Sequence, residues 1–175
     1  LYETPRILYM HIGAIGQPQK LAAAIRSALA LSKTPFEAAP GKVPASDLDM
    51  KRLDSILGHQ GKPNGRVIQY SIPRSEKIVD HGMEIPPAMG VATSINFEPT
   101  GAGKAAITGD FVLRDGEVNN VIRALRENGI AVTALHSHML EEEPRLFFLH
   151  FWANDDAARL ASGLRAAVDQ TSSAR

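Results

Sequence analysis

The chain contains no cysteine, which excludes disulfide staples, thiolate nucleophiles and sulfur ligands. It contains no uninterrupted apolar run of about 18 residues, so no stretch reads as a bilayer-spanning helix. Neither sign of charge is in excess. Nineteen basic residues balance 19 acidic ones, leaving no global field to draw in a nucleic acid or an anionic membrane. No basic cluster alternates with aromatic residues, so the usual nucleic-acid-binding pattern is missing as well. There is no initiator Met and no signal peptide, and the chain opens on Leu1-Tyr2-Glu3 directly ahead of a strand-like run. What is present is 175 residues, 44% hydrophobic and 22% charged. Those are ordinary values for a globular chain, and the length suffices for one well-buried domain.

Half of the six histidines fall in residues 131–152, AVTALHSHMLEEEPRLFFLHFW. Val132, Ala134, His136 and His138 share parity, so on an extended strand they point to one face. After the acidic turn Glu141-Glu142-Glu143-Pro144, a second run over 145–152 returns with Phe148, His150 and Trp152 on one parity. An antiparallel hairpin turning near Glu143 sets His150 opposite or diagonal to His136. Three imidazoles converging from paired strands form a three-nitrogen metal site with an open fourth position. The expected ligands are therefore His136, His138 and His150 on a divalent ion. Zinc is taken first, although imidazole also suits iron, nickel and copper. The competing reading makes the three histidines ordinary strand residues paired with the glutamates.

Other polar residues fall around this stretch. Glu142 stands as a fourth ligand or as a general base. Arg145 stands as a group that orients an anionic substrate, with a salt bridge to the turn's own acids as the alternative. Glu141 and Glu143 read as solvated. Asp110 and Glu98 are candidate carboxylates that no spacing argument connects to the histidines. His59 and His81, in glycine-flanked loops, are expected to be exposed. Phe147, Phe148, Phe151 and Trp152 read as core. The stretch Gly101-Ala102-Gly103-Lys104 lacks the spacing of a phosphate loop and precedes a strand rather than a helix.

An internal repeat accounts for the abrupt start. Residues 1–34 align without a gap on residues 140–173, with His11 on His150, and ten of the 34 positions are identical. About two identities are expected by chance. The chain thus reads as a tandem repeat entered within its first copy, through truncation or a nick in an exposed hairpin turn. Residues 1–34 are the closing strand and helix of that first copy, 35–45 a proline-rich linker, and 46–173 a complete second copy. Because His11 has no H-x-H partner of its own copy here, a first-copy site is expected to be broken. The missing first-copy segment or a second chain is the implied macromolecular partner.

The periodicities predict a strand over 5–14 and a helix over 19–32 led by Pro18. A helix follows that is capped by Ser46 with Asp49 and stopped by Gly58. Strands are expected over 66–72, 77–80, 91–97 and 104–113. A helix over 117–128 is capped by Asp115 and stopped by Gly129, and the histidine hairpin and a closing helix over 155–170 complete the chain. This order predicts an α+β domain with a mixed or mostly antiparallel sheet and flanking helices.

The segments GVATSINFEPTGAGKAAITGDFVL, VIRALRENGIAVTALHSHMLEEEPRLFFLHFWA and IPPAMG closely resemble the LppY/LpqO family of bacterial proteins, over residues 47–171. The resemblance implies an exported or periplasmic location and supplies no activity. His136, His138 and His150 also fit, residue by residue, the pattern of the acetolactate decarboxylase-like fold group. There a strand pair gives H-x-H and a later His to zinc, and some relatives hydrolyse esters. A cupin also carries H-x-H followed by Glu, but with wider motif separation and fewer helices. The expected function is a metal-dependent hydrolase or lyase acting on a small carbonyl or ester compound. The alternative is a non-catalytic ligand-binding module of the bacterial envelope.

Overall fold

The structure is a computed structural model that describes residues 10–33, 35–36 and 44–174. The fold is α+β, as the element order predicts. The expected strand over 5–14 lies partly outside the described residues, and residues 10–14 are not in a strand. Helix α1 (Pro18–Leu29) starts on its proline and buries no residue. Part of the proline-rich stretch, 37–43, lies outside the described residues.

Helix α2 (Met50–Leu57) is capped by Asp49, whose carboxylate accepts the Arg52 N–H, and it ends at Gly58 in the left-handed region. The cap is thus Asp49 alone, because the Ser46 hydroxyl turns to the Leu48 N–H instead. Strands β1 (Lys62–Asn64), β2 (Val67–Pro73), β3 (Val79–Asp80) and β4 (Met83–Glu84) follow. The His81-Gly82 turn joins the last two, and both of its residues take positive φ. Then come β5 (Ala92–Gly101), β6 (Lys104–Leu113) and α3 (Asp115–Glu127). Asp115 is the first residue of α3 rather than its cap, and the backbone N–H of Arg114 donates to Glu117 at 2.7 Å. Strands β7 (Ala131–His136) and β8 (Phe147–Asp156) lead into α4 (Ala157–Val168), capped by Asp156.

Six strands form one sheet in the order β1-β2-β5-β6-β8-β7, with every neighbouring pair antiparallel. Helices α2, α3 and α4 cover one face. There Leu57, Leu125 and Leu164 meet Tyr70, Phe97, Phe111 and Phe151, all fully buried. Odd residues of β8 point to this face and even residues to the other, as strand alternation requires. On the second face a smaller cluster of Ile78, Val91, Val112, Leu146 and Phe148 forms a local apolar floor.

The register of β7 on β8 corrects one expectation. Ala134 pairs with His150 and His136 with Phe148, but a bulge falls between Val132 and Ala134, and Val132 pairs with Phe151. Val132 therefore sides with Phe151 and packs into the helix-side core. It does not share a face with Ala134 and His136. The extra residue of a bulge breaks the two-residue period, so same-parity residues on either side of it face opposite ways.

Gly109 on β6 pairs with Phe151. A Cβ there would lie 2.0 Å from the Ser94 carbonyl oxygen and 2.7 Å from the Phe151 ring. Only a residue without a side chain lets β5 and that ring approach. We expect Gly109→Ala to destabilise the fold by about 3 kcal/mol, at the upper end for overpacking. Urea unfolding would measure it, and a change below about 1 kcal/mol would show that the strands yield.

A polar junction ties the end of β2 to α3 and to the C-terminal residues. The Arg74 side chain is 2% exposed and bonds to Glu117 through both terminal nitrogens, at 2.7 and 2.9 Å. It also bonds to Glu76 and to the Val112 carbonyl. Glu117 further accepts the Ser172 N–H at 2.8 Å.

Candidate metal centre

The face of the sheet opposite the helices carries the site. Asp110 of β6 sits directly across from His150 of β8, and His136 of β7 lies diagonal to His150 because its own partner is Phe148. His138 lies past the end of β7 in the connection over 137–146. Its ring stacks on Phe148 at 3.5 Å between centroids and 6° between planes. Stacking through the ring face leaves the ring nitrogens, which point outward in the plane, available for other partners.

That connection is fixed by contacts of its own. Val79 and Glu143 exchange backbone hydrogen bonds at 2.9 and 2.8 Å. The Glu142 carboxylate is buried and accepts the Leu146 N–H at 2.9 Å. Arg145 donates to the carbonyls of Leu140 and Met139 and to Glu142. The bond from Glu143 to Pro144 is cis. Glu142 and Arg145 thus brace, from within, the connection that carries His138. Glu141, exposed, lies 3.5 Å from His81, also exposed, which Asp80 contacts at 3.0 Å. Glu98 pairs with Arg66 at 3.7 Å, away from the histidines. His59 is half-buried.

The nitrogens face one another closely. His136 Nε2 and His150 Nε2 are 2.8 Å apart. His150 Nδ1 lies 3.3 Å from the Gly109 carbonyl, and His136 Nδ1 lies 3.3 Å from the Ser137 carbonyl. A carbonyl accepts only, so each Nδ1 is assigned as the protonated nitrogen, which leaves each Nε2 with its lone pair. Asp110 Oδ2 lies 3.7 Å from His138 Nε2, and Asp110 Oδ1 lies 3.9 Å from His150 Nδ1. Asp110 Oδ1 and His138 Nε2 are buried without a hydrogen-bond partner.

Two overlapping groups bring ligand atoms within 4.8 Å of one another, Asp110–His138–His150 and His11–His136–His138. Among the described residues Glu142 joins neither. The second group was not expected from the sequence. His11, ahead of α1, stacks on His138 at 3.8 Å and lies 5.0 Å from His136, both between ring centroids. With one face of His138 against Phe148, His11 takes the other.

Burial and mutual repulsion set the protonation states. Burial, reinforced by His11, His136 and His150, pushes the His138 pKa down to about 3. Burial and His136 lower His150, against the Gly109 contact. Burial raises Asp110 to about 6, although His136 opposes it. Near neutral pH His138 is a neutral imidazole, the form that ligates a metal.

A helix-backed antiparallel sheet whose bare face gathers imidazoles around one carboxylate defines an α+β protein with a centre able to hold a cation. The chain belongs to the family described as Domain of Unknown Function (DUF1259), whose model matches residues 1–31 and 51–170. No curated protein and no solved structure matches the chain. No helix among the described residues is long and apolar enough to cross a membrane.

Proposed function

We propose that His136, His138 and His150, with Asp110 beside them, hold a divalent cation, zinc in the first place, in a hydrolase or lyase acting on a small carbonyl or ester compound. The observation that carries this reading is the pair of Nε2 atoms at 2.8 Å, each with Nδ1 directed at a carbonyl. Two lone pairs repel at that distance unless a cation or a shared proton lies between them. The buried, unpartnered Asp110 Oδ1 and His138 Nε2 border the same space and favour the cation. Imidazole and carboxylate are donors that suit zinc, and Asp110, His138 and His150 already bring ligand atoms within 4.8 Å of one another, with His136 Nε2 against His150 Nε2.

A divalent ion there would polarise a carbonyl or acidify a water. Asp110 has two carboxylate oxygens, so that one can ligate while the other accepts a proton. Glu142 and Arg145 hold the 137–146 connection and so set where His138 stands. The likeness to the LppY/LpqO proteins favours an exported location, and that of His136, His138 and His150 to the acetolactate decarboxylase-like group favours zinc.

The test is the metal content of protein purified without chelator, followed by assays on panels of small esters and 2-keto acids. About one equivalent of metal and turnover abolished by chelation are expected. Absence of metal after incubation with Zn²⁺ would end the reading. Metal without turnover would leave a non-catalytic ligand-binding module in its place.

A further inference from the structure

We propose that His11 is a ligand of that same cation, so that the ion ties the N-terminal arm, residues 10–33, to the open face of the sheet. The inference rests on the metal reading above and adds a ligand from outside the sheet. A ligand nitrogen of His11 lies within 4.8 Å of one on His136 and one on His138. Among the described residues of the arm, little packing beyond the stack of His11 on His138 holds it there. None of residues 10–33 is buried, Leu21 alone is half-buried, and Ile25 and Leu29 are 43% and 40% exposed. In α4 the equivalent positions, Leu164 and Val168, are 0% and 3% exposed. The arm therefore carries an apolar stripe that α4 buries and α1 does not, while its histidine reaches the centre.

The residue that reaches it is the one that aligns with His150 in the repeat. The arm offers a second copy of a side chain the centre already uses, and the family model matches the arm as well as the sheet. Metal binding and arm docking are then one linked equilibrium, in which each strengthens the other.

The experiment is a Co²⁺ titration of the whole chain, read by visible absorption and by hydrogen exchange over residues 10–33. It compares wild type with His11→Ala and with His11→Phe, which keeps an aromatic ring over His138 but cannot ligate. In wild type Co²⁺ is expected to slow exchange in the arm. Both variants should bind Co²⁺ about tenfold more weakly, roughly 1.4 kcal/mol, with an altered spectrum and an unprotected arm. Wild-type protection in His11→Phe would mean that stacking, not ligation, docks the arm, and would overturn the proposal. Equal affinity, equal spectra and a metal-independent arm in all three proteins would overturn it too, while leaving the sheet-borne centre intact. Failure of wild type itself to bind Co²⁺ would remove both readings.

Discussion

A His138→Ala chain should bind Zn²⁺ or Co²⁺ at least about a hundredfold more weakly than wild type, a loss of roughly 2.7 kcal/mol. His138 belongs to both groups of possible ligands, so its removal leaves each with two members. Its ring is also fixed before any ion arrives, stacked on the fully buried Phe148 at 3.5 Å. A ligand held in place in advance loses little freedom on binding and so contributes more to affinity. With its pKa near 3, His138 asks for no proton to be released at neutral pH. Changing residues that only orient ligands already costs about 10–100-fold, so removing this one should cost no less. Calorimetric titration measures the effect, with circular dichroism to verify folding. Glu98→Gln serves as the control, since Glu98 pairs with Arg66 away from the histidines. Wild-type affinity in His138→Ala would sink the metal centre.

The second large effect is on stability. Glu117→Gln should destabilise the chain by about 3 kcal/mol, because it takes one of two counter-charges, the one bound through both terminal nitrogens, from an arginine whose side chain is 2% exposed. Burial alone would raise the Glu117 pKa. The hydrogen bonds from Arg74 and from the Arg114 and Ser172 N–H groups outweigh it and hold the carboxyl below its ordinary 4.5. Burial would likewise raise Glu76, and its bonds, that from Arg74 foremost, lower it. A carboxyl depressed in the folded state contributes stability that is fully present above its unfolded value. That stability is lost as pH falls from about 4.5 down through the folded value. Wild type should therefore weaken steeply below about pH 4.5, and Glu117→Gln should weaken less steeply from its lower starting point. Urea unfolding at pH 7, 5 and 3.5 reads both quantities. Parallel pH profiles with a difference under about 0.5 kcal/mol would show that Glu76 and the Val112 carbonyl satisfy Arg74 unaided.

The β8 half of the site is legible in the sequence because Phe148, His150 and Trp152 alternate over an unbroken strand, and in the structure they share a face. The diagonal relation of His136 and His150 follows from placing the turn in the Glu-Glu-Glu-Pro stretch. Three features are not legible, each for a separate reason. The bulge sits at Thr133, where neither glycine nor proline marks it. Asp110 reaches the site through the pairing of β6 with β8, a register set by packing far along the chain rather than by any local pattern. His11 has no histidine near it in sequence, and only the path of the arm shows that it stands beside His136 and His138. The alternation of β6 puts Asp110 on the same side as Val112, but only the pairing with β8 shows that this side carries His150.

The β7 bulge also has a meaning for how such a chain can vary in length. Above it, Val132 is committed to the helix-side core; below it, His136 is committed to the centre; residue 133 belongs to neither ladder. The edge strand thus holds one residue of slack between two fixed registers. A change in chain length absorbed at that position leaves His136 on its face, whereas the same change taken between Ala134 and His136 would turn the imidazole toward the helices. A chain one residue shorter at that position would lose the bulge and keep both registers.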